Sequence, residues 1–251
     1  MKLRHRVASL YLGIARTYRA WGSSILVLAL AVFVPLGLID SLVANVDVDA
    51  LDLSSGIKVF AVILAVGAIT TTGLLGEVFF SGAVAVSLTN PEHERPPRVR
   101  EIARRLRYGR LIAVDIVYVV IVAAGLLLFV VPGALAFVWL GLAGPVVELE
   151  ERTVRGSLRR SWQLVRGNFW FVFWVLVPVE IVGDALGEAV GGLVHSVLGH
   201  SFWAGWVAES LSNVVLSPIF AIAAVLLAIE LIAARDGDGP RLNRSPEPVV
   251  A

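Results

Sequence analysis

Long apolar runs alternate with short clusters of arginine along this chain, and that alternation restricts its folding more than any motif does. All but one of the 21 Lys and Arg residues fall in the stretches 2–19, 95–110, 152–166 and 235–244, leaving only Lys58 outside. An apolar run of roughly 20 residues is long enough to cross a bilayer as a helix. The sequence therefore predicts an all-α polytopic membrane bundle of six transmembrane helices, with basic amphipathic helices on its cytoplasmic side. Short loops rich in Lys and Arg stay in the cytoplasm, so all four clusters and both termini are expected there.

Composition supports the same class. The 251 residues are 57% hydrophobic and only 16% charged, against roughly 25% charged in an ordinary soluble domain. The net charge of +1 conceals a segregation, because Asp47, Asp49 and Asp52 occupy a stretch almost free of basic residues. The absence of cysteine excludes disulfides, thiolate metal sites and cysteine nucleophiles. Arginine far outnumbers lysine beside heavy Ala, Val and Gly use, a composition typical of GC-rich bacterial genomes. A bacterial cytoplasmic membrane is the expected location. The first apolar run lacks a clear small-x-small site after it and is read as a retained helix, not a signal peptide.

Residues 1–22 form an amphipathic helix in this reading, with Leu3, Val7, Leu10, Tyr11, Ile14 and Tyr18 at helical spacing. The membrane domain covers 23–234, with spans at about 23–43, 57–88, 111–131, 134–148, 169–190 and 209–234. The tail 235–251 is rich in Gly, Pro and charge and is read as disordered. The apolar run 111–147 reaches roughly 55 Å as a helix, slightly short of two crossings. A hairpin turning at Pro132-Gly133 and a re-entrant pair both fit it. Residues 187–206 read as an outer interfacial segment.

Two further amphipathic helices follow basic loops. One places Val99, Ile102 and Leu106 on a face; the other, over 157–168, places Leu158, Trp162 and Val165 together. Arg98, Arg104, Arg105, Arg159, Arg160 and Arg166 are expected to contact anionic inner-leaflet headgroups, at roughly 1 kcal/mol each. Because these arginines flank apolar spans, membrane lipid is the expected partner and nucleic acid is not. Other membrane proteins are further candidate partners.

Carboxylates inside apolar helices are costly and face a bundle interior or cavity. Glu77 and Glu180 fall near the membrane midplane, and Glu180, Asp184 and Glu188 make one stripe at i, i+4, i+8 that climbs toward the outside. A proton or cation path and a set of protonated interhelical hydrogen bonds both account for them. Asp115 and Glu230, five residues from Arg110 and Arg235, are expected to pair with arginine. Glu150-Glu151 followed by Arg155 matches the first motif of the CAAX-type intramembrane metalloproteases. None of the four His residues stands in the Phe-x-x-x-His setting that this chemistry needs. His195 and His200 are five apart, not at the i, i+4 spacing of a helical zinc pair. No catalytic residue, metal or cofactor is expected.

The stretch from Val131 to Trp170 carries a resemblance. Val131-Pro132-Gly133, Trp139, Pro145-Val146-Val147, Glu150 and the run from Arg159 to Trp170 (RRSWQLVRGNFW) resemble the glycerophosphoryl diester phosphodiesterase membrane domain and the related YciC-like bacterial inner-membrane proteins. The resemblance implies a multi-pass helical bundle. It does not carry the hydrolytic activity, which in some members belongs to a fused soluble barrel of roughly 250 residues. Only seventeen residues follow Ala234 here. The expected function is a non-enzymatic scaffold or partner subunit at the inner leaflet. Transport of a small cation, proton or lipid-like solute is the alternative.

Overall fold

A computed structural model describes residues 3–44, 76–89, 99–199 and 201–237. Every regular element among them is an α-helix. In chain order these are α1 (Leu3–Ala44), α2 (Glu77–Leu88), α3 (Val99–Arg105), α4 (Tyr108–Leu128), α5 (Val130–Leu140), α6 (Ala143–Leu149), α7 (Val154–Arg166), α8 (Phe169–Leu198) and α9 (Phe202–Asp236). Among the described residues, five stretches are long and apolar enough to cross a membrane: α1, α4, α5 with α6, α8 and α9. The bundle exterior is apolar too, with Phe129 75% and Val197 81% exposed. A surface of that kind suits lipid, not water.

Helix α1 corrects one boundary. The expected amphipathic segment and the first span form a single 42-residue helix with Pro35 inside it. The reason is a continuous stripe: Leu10, Ile14, Trp21, Ile25, Leu28 and Phe33 are all buried, and their spacing keeps them on one helical face. That stripe packs antiparallel along α9, from Arg6 beside Glu230 to Trp206, whose indole donates to the Val34 carbonyl. The centre of α9 is alanine-rich, with Ala221, Ala223, Ala224 and Ala228 fully buried. Small side chains let neighbouring helices approach closely, and α9 accordingly packs on α1, α8 and α2.

The hairpin also turns elsewhere than expected. Phe129, with φ −166° and ψ 154°, is the single extended residue between α4 and α5. Pro132 instead sits in the first turn of α5, where its missing N–H costs nothing. Gly133 serves a different purpose: a Cβ on Gly125 would lie 2.8 Å from its backbone. Two glycines thus let the arms meet just below the turn. Likewise the expected interfacial segment 187–206 is mostly helix, α8 running on to Leu198 and α9 starting at Phe202, with a turn at Gly199.

Helix α2 has 12 residues, a rise of roughly 18 Å, about half a crossing. Residues 57–75 of the expected second span lie outside the described residues, as does most of the tail 235–251.

Candidate functional site

One end of the bundle gathers the basic clusters. Arg6 of α1 bonds Glu230 of α9 at 2.9 Å, reaches Asn168 at the start of α8 and stacks 4.1 Å over the Phe171 ring. Arg107 pairs with Glu151 at 2.8 Å, and Arg110 donates to the Glu151 carbonyl at 3.1 Å. Glu230 is therefore paired with Arg6 of another helix and not with nearby Arg235, whose guanidinium donates to the Gln163 carbonyl.

Helix α7 lies across this end and has two faces. Thr153 caps it by accepting from the Gly156 amide. Ser157, Arg160, Ser161, Leu164 and Val165 are buried. Ser161 donates to the Trp139 carbonyl at 2.7 Å, satisfying a C-terminal carbonyl of α5 that has few helical partners. Arg155, Arg159, Trp162 and Arg166 are exposed; their spacing of four, three and four places them on one line along the opposite face.

Arg160 is the corrected residue. Read in sequence as a lipid contact, it is only 7% exposed and grips Glu150 through Nε and Nη2, the latter at 2.8 Å, while also bonding Asp236. Burial disfavours its charged form, but the hydrogen bonds and charges of Glu150 and Asp236 outweigh this and hold its pKa above the ordinary value. Trp162, read with Leu158 and Val165, belongs instead to the arginine line, where the Arg166 guanidinium lies 5.1 Å over its ring. Arg104, Arg105 and Arg159 are exposed. Arg98 lies outside the described residues.

The second candidate lies inside the bundle. Gly76 adopts φ +91°, a left-handed conformation that glycine tolerates, and α2 begins directly after it. Its first amides point into the protein interior, where they need an acceptor. Asp115 of α4 supplies it, accepting from Gly76 at 2.7 Å, Val78 at 3.1 Å and Phe79 at 3.3 Å. Asp115 is thus a helix cap and not the partner of Arg110, against expectation.

Glu77, the first residue of α2, is buried, and its Oε2 has no hydrogen-bond partner among the described residues. The hydroxyl of fully buried Tyr118 likewise has no partner among the described residues. Glu180, Asp115 and Asp184 lie within electrostatic range of Glu77. Glu180 is half-buried and Asp184 exposed. Among the described residues no cluster of His, Cys, Asp and Glu could hold a metal ion. His200 lies outside them, His195 contacts the Gly199 carbonyl, and Glu209 accepts from Asn213. The Glu150-Glu151 pair is occupied by Arg160, Arg152 and Arg107.

No family model, curated protein or solved structure matches this chain. The residues that carry the sequence resemblance have packing roles here. Gly133 closes the hairpin, Ser161 and Arg160 bind α7 to the bundle, and Asn168 receives Arg6.

Proposed function

We propose that this protein is a non-enzymatic scaffold or partner subunit that organises anionic phospholipid, and through it neighbouring membrane proteins, at the inner leaflet of a bacterial cytoplasmic membrane. In this reading the chain crosses six times, the second crossing supplied by 57–88, with both termini in the cytoplasm. It is a member of the membrane-domain family that its 131–170 motif resembles. The observation that carries the reading is the division of α7. Arg160 is held inside by Glu150 and Asp236, so Arg155, Arg159, Trp162 and Arg166 form an exposed basic line on a helix that cannot roll. Each arginine near an anionic surface contributes roughly 1 kcal/mol, and tryptophan favours the headgroup level.

Self-quenching of fluorescent phosphatidylglycerol around the reconstituted protein tests this. The wild type should cluster the lipid, and the triple variant Arg155→Gln, Arg159→Gln, Arg166→Gln should not. Equal clustering by both would reject the proposal.

A second reading, proton or cation movement, is favoured by one observation: a Glu77 carboxylate oxygen and the Tyr118 hydroxyl are buried inside the bundle with no hydrogen-bond partner among the described residues. Flux through proteoliposomes that is lost in Glu77→Gln would support it. No flux by the wild type would remove it.

A further inference from the structure

Arg166 of the exposed line also borders a groove of about 370 Å³, lined otherwise by Leu135, Trp139, Trp162 and Phe169. The lining comes from three elements: α5 gives Leu135 and Trp139, α7 gives Trp162 and Arg166, and α8 begins with Phe169. Four of the five side chains are apolar or aromatic and the fifth is a cation at the rim. Trp139 and Phe169 pack edge to face at 6.3 Å, which fixes the groove wall. Arg166 lies over Trp162, so its guanidinium is oriented while its N–H edge faces outward for two oxygens of a phosphate. Ser161 fastens α7 to α5 beside the groove, so the two walls are held together.

We infer that this groove is a specific site for one anionic phospholipid, the phosphate held by Arg166 and an acyl chain lying against Leu135, Trp139 and Phe169. The inference deepens the lipid-scaffold reading and rests on it: the arginine line attracts acidic lipid in general, and the groove selects one molecule. Charge complementarity decides the occupant. A free soluble anion would leave the aromatic wall unused, and a zwitterionic lipid would bring a second cation beside Arg166.

The test is photocrosslinking of the full-length protein in phosphatidylcholine vesicles doped with phosphatidylglycerol that carries a photoreactive acyl chain. Label is expected on the peptides holding Leu135 to Trp139 and Trp162 to Phe169. Unlabelled phosphatidylglycerol should compete, and neither glycerol phosphate nor inorganic phosphate should. Arg166→Gln should weaken the competition roughly fivefold, the factor that about 1 kcal/mol carries. Equal labelling by a photoreactive phosphatidylcholine, competition by free phosphate, or an unchanged Arg166→Gln would overturn the site. Lipid clustering that survives with no groove labelling would sink the groove alone, whereas loss of clustering would sink the broader reading.

Discussion

The Tyr11 hydroxyl of α1 donates to the Trp174 carbonyl of α8 across 3.1 Å. That carbonyl lies four residues before Pro178, which sits inside α8. Proline has no N–H to give to residue i−4, so a tyrosine from another helix supplies a donor there, shared with the Val175 carbonyl at 3.2 Å. Tyr11→Phe should therefore cost about 1 kcal/mol, the ordinary net value of one hydrogen bond. Adding Pro178→Ala to Tyr11→Phe should recover most of it, because an alanine at that position restores the helical donor. Thermal unfolding of the four proteins in detergent checks the cycle, and additive losses would exclude this pairing.

Asp115 caps a helix that starts inside the bundle. Asp115→Ala removes the acceptor for three amides and should destabilise by about 3 kcal/mol, above the ordinary range for a lost cap because nothing replaces it in lipid. Asp115→Asn keeps one acceptor oxygen and should lose less. Arg110→Gln should not reproduce either effect, since Arg110 bonds elsewhere.

Arg159 and Arg160 are neighbours with opposite surroundings. Arg160→Met leaves Glu150 and Asp236 without their shared cation and should cost about 3 kcal/mol, the lower end for breaking a buried pair. Arg159→Gln should stay within about 0.5 kcal/mol, as exposed substitutions do. Unfolding midpoints measured side by side separate them.

Gly144 sits where α6 crosses α2, and a Cβ there would strike the Val78 carbonyl and Ser81. Gly144→Ala should lower the unfolding midpoint sharply or prevent folding. Gly167→Ala, with nothing within 4 Å of the new carbon, should be tolerated.

Much of the architecture was legible because lipid imposes composition over whole segments. Apolar runs marked α1, α4, α5 with α6, α8 and α9, and the basic clusters marked the end where Arg6, Arg107, Arg110 and Arg160 now meet. What escaped the sequence is set by single rotations and by distant partners. Arg160 differs from Arg159 by roughly 100° about α7 and by the position of Glu150, ten residues upstream. Ser157 and Ser161 were the available signal, because small residues one turn apart mark a closely packed face. Trp162 was read by its hydrophobic body, whereas its ring lies with the arginines on the outer line. The cap on α2 joins Asp115 to Gly76 across thirty-nine positions, which no local pattern encodes. Tyr11 was read simply as part of an apolar stripe; its hydroxyl had no visible partner until α8 came beside it.

The account depends most on the basic segments sharing one membrane face. Because the chain has no cysteine, Arg104→Cys and Arg159→Cys each give a single reactive thiol. Labelling with a membrane-impermeant maleimide should fail for both in intact spheroplasts and succeed for both in inside-out vesicles. Labelling of the two positions from opposite faces would contradict the bundle and everything built on its basic end.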